Sequence, residues 1–157
     1  MRKSQITWSP QGPPPRDQAW MDVDRIASVE VSSEDADYPI ESALVQEEKK
    51  GWRPATLGMQ TIRLIFDEPQ KLRRISLVFE DTENSRTQEF VLRWSPDIDR
   101  PFRDIIRQQW NFSPPDSVRE AEDYSVELSG VKVLELMIIP DKSGGELRAS
   151  LKSLRLS

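Results

Sequence analysis

The chain has 157 residues, 36% of them hydrophobic, 31% charged and 8% aromatic, and its 22 basic and 27 acidic side chains leave a net charge of -5. A single domain of this length buries roughly 70% of its unfolded surface; the acidic balance argues against nucleic acid as a partner, since polyanions are bound by basic faces. Cysteine and histidine are both absent, which excludes disulfides, thiol chemistry, Ser-His and Cys-His dyads, and zinc sites built on either residue.

Met1 to Gln11 begins basic but has no apolar run and no small-residue cleavage site, so no secretory signal is read there. No stretch reaches the ~20 apolar residues of a membrane span, and the expected location is cytoplasmic. In Ser9-Pro10-Gln11-Gly12-Pro13-Pro14-Pro15-Arg16, four prolines fix φ and remove backbone donors, predicting an extended segment near polyproline II. Trp8 and Trp20 flank it. Residues 1–24 are therefore expected to form a Pro-rich arm lying back on a body of residues 25–157, because free linkers seldom carry tryptophan. A peptide ligand for a Pro-binding partner is the alternative.

From Arg25 onward the hydrophobic period is two. Ile62, Leu64 and Phe66 share a face, as do Ile75, Leu77 and Phe79, then Phe90, Leu92 and Trp94, then Tyr124, Val126 and Leu128. Such alternation, broken by turn residues, predicts half-buried antiparallel strands. Eight are read, at 25–31, 60–66, 72–79, 87–95, 102–110, 118–128, 131–139 and 149–156. The phase slip between Leu151 and Leu154 suggests a bulge. Phe102, Ile105, Ile106 and Trp110 also fit helical spacing, so 102–110 is a strand with a helix as the competing reading; Pro39 to Leu44 fits one helical turn. Eight strands without a crossover helix predict an all-β fold, a two-sheet antiparallel β-sandwich of the jelly-roll type.

The connections alternate in character. Asp67 to Lys71, Ser95 to Pro101 and Ser129-Gly130 are compact turn material. Ser32 to Met59, Glu80 to Arg86, Asn111 to Ser117 and Pro140 to Glu146 are longer or more polar. If each strand runs the length of the sandwich, these four crowd one end, where a rigid scaffold presents binding chemistry. They bring Tyr38, Trp52 and Arg53, then Asn84 and Arg86, then Trp110 with Asn111, and finally Arg148. An aromatic ring for an apolar sugar face, with Arg and Asn for the hydroxyl rim, is what a carbohydrate requires. The competing reading has Trp52 plugging the sandwich end, Trp110 in the core, and the arginines paired with local acids.

The run Tyr38-Pro39-Ile40-Glu41-Ser42-Ala43-Leu44 through Gly51-Trp52, then Thr61 to Pro69, Leu72 to Leu77, Phe90-Val91-Leu92-Arg93-Trp94-Ser95-Pro96-Asp97 and Phe102-Arg103-Asp104-Ile105, resembles the discoidin (coagulation factor type C) domains. These belong to the galactose-binding-like β-sandwich superfamily, and the likeness extends over residues 25–157. It implies ligand binding at the loop end: sugars in carbohydrate-binding modules, lipid head groups in clotting factors, proteins in intracellular scaffold domains. Where the family has Asp-Gly-Asp, often beside a structural calcium, this chain has Glu41-Ser42-Ala43, so no cofactor and no metal-site residue are expected, a structural calcium being the alternative that the resemblance leaves open.

Acidic clusters such as Glu34/Asp35/Asp37, Asp97/Asp99 and Glu120/Glu122/Asp123 read as solvated faces or turns rather than as a glycosidase pair. Ser143-Gly144-Gly145 is too short for a phosphate cradle. Arg63, Arg73, Arg74, Arg93 and Arg107 read as exposed strand positions that pair with acids across strands. The functional expectation is a non-catalytic, carbohydrate-binding module, with no catalytic residues; the alternative is an intracellular protein-interaction domain.

Overall fold

The computed structural model describes residues 7–8, 20–45 and 50–157. The elements are β1 (Thr7–Trp8), α1 (Val23–Ile26), β2 (Ala27–Val31), α2 (Glu41–Leu44), β3 (Gln60–Glu80), β4 (Arg86–Ser95), β5 (Arg103–Phe112), β6 (Arg119–Ile139) and β7 (Ser153–Leu156). Every strand pairing is antiparallel; the order is β2-β3-β6-β4-β5, with β1 added to β6 and β7 to β3.

β3 and β6 are each 21 residues long, and each contains two of the strands read from sequence. Residues 60–66 pair with β2 and with 131–139, which continues to β4 and β5 as one layer. Residues 72–80 pair with 119–128 and with β7, and β1 closes the far side, forming the second layer. The expected turns at Asp67–Lys71 and Ser129-Gly130 are thus corners of a continuous ladder. The register shifts three times between Ile65 and Arg74. That slip reverses the inward parity: Ile62, Leu64, Phe66 and Leu72 are buried before it, and Ile75, Leu77 and Phe79 after it. Across the layers Phe79 stacks on Phe90 at 5.3 Å, and Phe90 meets Tyr124 at 6.5 Å. Full burial of each such ring stabilises the sandwich by about 1.5–3 kcal/mol.

Segment 103–112 is a strand. Its helical spacing has a local cause, because Leu92 pairs with Ile106 while Arg93 pairs with Asp104, leaving Ile105 as an inserted, buried residue. The phase slip near the C-terminus has a different origin from the expected bulge. Leu151 bridges to Trp52, whereas Leu154 and Leu156 pair with β3, so the chain changes partner between them. The helical turn expected near residues 39–44 is α2. The strand expected at 25–31 starts at Ala27, after α1.

Most of the Pro-rich arm (1–6 and 9–19) lies outside the described residues. What is described of it meets the body: Thr7 and Trp8 pair with Ser125 and Tyr124, Arg74 lies 4.7 Å over the Trp20 ring, and the Met21 N–H donates to Leu156 O. Among the described residues no helix is long and apolar enough to cross a membrane.

Candidate functional site

Strand register decides where the loops go. Val31 is opposite Ile62, Gln60 opposite Ile138, Glu89 opposite Ile139, Arg86 opposite Phe112, Glu80 opposite Arg119 and Val78 opposite Ser153. All four elaborated connections therefore leave the sandwich at the same end, and the corners of β3 and β6 lie at the other. Three of the four enclose a cleft of about 440 Å³. Its walls are Asp35, Arg53 and Leu57 from the first, Glu80 to Asn84 with Arg86 from the second, and Glu146 to Ser150 from the fourth. The connection after β5 stands outside this cleft, tied to β4 by the Thr87 hydroxyl donating to Asn111 Oδ1 (2.8 Å).

Each wall is fixed by local hydrogen bonding. In the first, Gly51 has φ +82°, and a Cβ there would lie 2.8 Å from Leu151 O, so only glycine lets the following Trp52 pair with Leu151. The Trp52 indole N–H donates to Ser33 O (3.2 Å). In the second, Asp81 closes an Asx turn, accepting from the N–H groups of Glu83 (2.9 Å) and Asn84 (3.0 Å), and its other oxygen accepts from Arg86 Nε (2.7 Å). Burial would raise the Asp81 pKa, but those N–H groups and the guanidinium outweigh it and hold the carboxyl below its ordinary value. Arg86 Nη1 also donates to Gln88 Oε1 (3.0 Å) and Pro140 O (2.8 Å), and its guanidinium lies 4.5 Å over Phe112. Arg86 thus welds the second, third and fourth connections together.

The sequence-derived site residues separate accordingly. Arg53, Asn84 and Arg148 stand on the cleft wall. Trp52 is 0% exposed, so its ring seals the end of the core and does not face a ligand. Arg86 reaches the wall with its side chain 1% exposed, and its Nε and Nη1 donate inside the fold. Tyr38 is half-buried, with Lys50 at 4.6 Å and Arg53 at 4.2 Å over its ring. Trp110 and Asn111 belong to β5, away from the cleft; the buried Trp110 indole N–H has no hydrogen-bond partner among the described residues. Leu57, absent from the sequence-derived set, is 51% exposed on the wall. No period or charge marks it. Only its place in an elaborated loop beside Gly58 could have drawn attention to it.

The acidic cluster at 120–123 is a second correction. Glu120 is 0% exposed and Glu122 is buried, facing inward between the layers. Glu120 Oε1 accepts from Gln88 Nε2 (3.1 Å), while Oε2 has no partner among the described residues. Burial first, and the neighbouring Glu122 second, push the Glu120 pKa from 4.5 up to about 8. Glu122 accepts from the Tyr124 hydroxyl (3.3 Å), whose pKa is pushed up by burial and then by Glu122. Four of the five strand arginines pair across strands: Arg63 and Arg93 both engage Glu135, Arg74, half-buried rather than exposed, engages Asp123, and Arg107 with Lys142 engages Glu89; exposed Arg73 makes no ion pair among the described residues. The Glu41-Ser42-Ala43 turn buries Ser42 and Ala43 within α2, and among the described residues no three acidic groups gather to hold a metal ion.

No family model and no curated protein sequence matches the chain. Solved structures do match in fold. A family-32 carbohydrate-binding module of Clostridium perfringens, in complex with GalNAc-β-1,3-galactose, superposes with a TM-score of 0.64 at 15% identity over 88% of this chain and 99% of that one. A pectin-binding carbohydrate-binding module gives 0.58 at 17% identity over 85% and 91%. A Ruminococcus gnavus fucosidase, in complex with fucose, gives 0.64 at 8% identity over 87% of this chain; this chain spans only 26% of that enzyme. The chain shares its fold, a two-layer antiparallel β-sandwich, with these carbohydrate-binding modules.

Proposed function

We propose that the chain is a non-catalytic binding module that takes a carbohydrate in the cleft at the loop end. The observation that carries this reading is the convergence of three separate connections on one polar recess of about 440 Å³. Its wall mixes donors (Arg53, Asn84, Arg148) with acceptors (Asp35, Glu83, Glu146), the pairing that alternating hydroxyls demand. The sugar-bearing modules of like fold support the same reading. A cytoplasmic location remains part of the proposal. Titration calorimetry against a glycan panel tests the function, with Arg148→Ala and Asn84→Ala as controls. Binding that both variants weaken tenfold supports it, and absence of binding to every glycan at millimolar concentration rejects it.

A protein partner is the second reading, favoured by Met59, which is 61% exposed two residues from Leu57 on the same loop. A stoichiometric complex that survives Arg148→Ala but not Met59→Asp would replace the first reading with this one.

A further inference from the structure

We infer that Leu57 is the platform on which the apolar face of a neutral sugar ring rests, a specificity element within the cleft; this deepens the carbohydrate reading and rests on it. A pyranose needs an apolar surface beneath its C–H face as well as hydrogen bonds to its rim. The aromatic rings of this end do not offer one: Trp52 is sealed in the core, cations cover Tyr38, and Trp110 lies outside the cleft. Among the described residues, Leu57 is the most exposed large apolar side chain on the wall; Leu147 beside it is half-buried.

Scattered exposed leucines are ordinary, but this one is held out by a dedicated brace. The buried Gln60 side chain points its amide at the turn, with Nε2 3.1 Å from Thr56 Oγ1, 3.3 Å from Thr56 O and 3.4 Å from Gly58 O. The Ser33 hydroxyl accepts from the N–H groups of Ala55 (2.7 Å) and Thr56 (3.1 Å). The Gly58 N–H donates to Leu147 O (3.1 Å) across the cleft wall, and Gly58 supplies the φ of +83° that the turn requires. A turn tied from three sides needs no further ordering of its backbone on binding. The wall carries an excess of acids, with Asp35, Glu80, Glu83 and Glu146 beside the Arg86-bound Asp81 against Arg53, Arg86 and Arg148. Such a wall accepts uncharged hydroxyls, whereas an anionic sugar meets net repulsion.

Calorimetric titration of the full chain with neutral galacto-, gluco- and manno-oligosaccharides, and with oligogalacturonate, tests the inference. Leu57→Ser is expected to weaken the best neutral ligand about fivefold and Leu57→Trp to tighten it about threefold, from the apolar area each covers. Leu57 is exposed, so both variants should melt with the wild type. If Asn84→Ala abolishes binding while Leu57→Ser stays within twofold of wild type, the cleft stands and the platform is wrong. Tighter binding of oligogalacturonate than of every neutral sugar overturns the neutral-ligand assignment. A wild type that binds none of the four, nor any member of the wider glycan panel, removes the carbohydrate reading and this inference together.

Discussion

The interior of the sandwich differs from one end to the other. Toward the corners of β3 and β6, the inward positions are Leu72, Leu92, Val126, Leu128 and Leu134, an apolar packing that needs no partners. Toward the loops, the same inward rows of β4 and β6 carry Arg86, Gln88, Glu120 and Glu122. One end gains stability from area removed from water. At the other end, buried polar groups are costly to desolvate and are stabilising only while each finds its partner. The polar half fixes position: an apolar core cannot hold loops in place by direction, whereas Arg86 reaches three of them at once.

The largest effect should come from breaking that strut. Arg86→Leu strands Asp81 without its charged partner and frees Pro140 O, and urea denaturation should report a loss of about 3–5 kcal/mol. If the loss is below about 1 kcal/mol, the polar half is not what fixes the loops. At the apolar end, Leu92→Ala should cost about 3 kcal/mol through lost contacts and the cavity left behind. Its ligand affinity should be unchanged, which separates the two ends functionally.

Glu120→Gln sharpens the contrast through pH. Its folded pKa of about 8 lies above the ordinary 4.5, so the folded state holds a proton that the unfolded chain releases. The wild type should therefore lose stability as pH rises from about 4.5 to about 8, with no further change from this group beyond that. The glutamine variant retains the contact with Gln88 and lacks this loss. Thermal melts should place the two proteins together at pH 4 and the variant ahead at pH 9, by on the order of 3 kcal/mol. Equal pH profiles would mean that the carboxyl pair is not coupled to folding. Gly51→Ala, which forces a Cβ against Leu151 O at positive φ, should cost about 2 kcal/mol by chemical denaturation. The smallest effect on stability should be that of Arg148→Ala, within about 0.5 kcal/mol, because it stands on the exposed wall.

Much of this was legible in the alternation of residues. Period two located the strands, and counting connections placed four loops at one end. The rest depended on which face a residue takes and what it meets there. Glu120 and Glu122 share parity with Tyr124, Val126 and Leu128, so their burial was written in the same row that marked the core; their charge argued for solvent and the parity decided. Trp52 shows the opposite limit. A tryptophan in a polar loop reads equally as a ligand platform or a plug, and only the pairing with Leu151, a hundred positions along the chain, settles it. Leu57 left no mark, because its role depends on Gln60 and Ser33 folding back beneath it.

The continuity of β3 and β6 through both layers has a kinetic consequence. Neither layer can detach while the other stays intact, since the same two backbones are woven into each. Amide protons on the two sides of the corner, such as those of Leu64 and Leu77, should then exchange with deuterium through a common opening event, and the molecule should come apart as one cooperative unit rather than sheet by sheet.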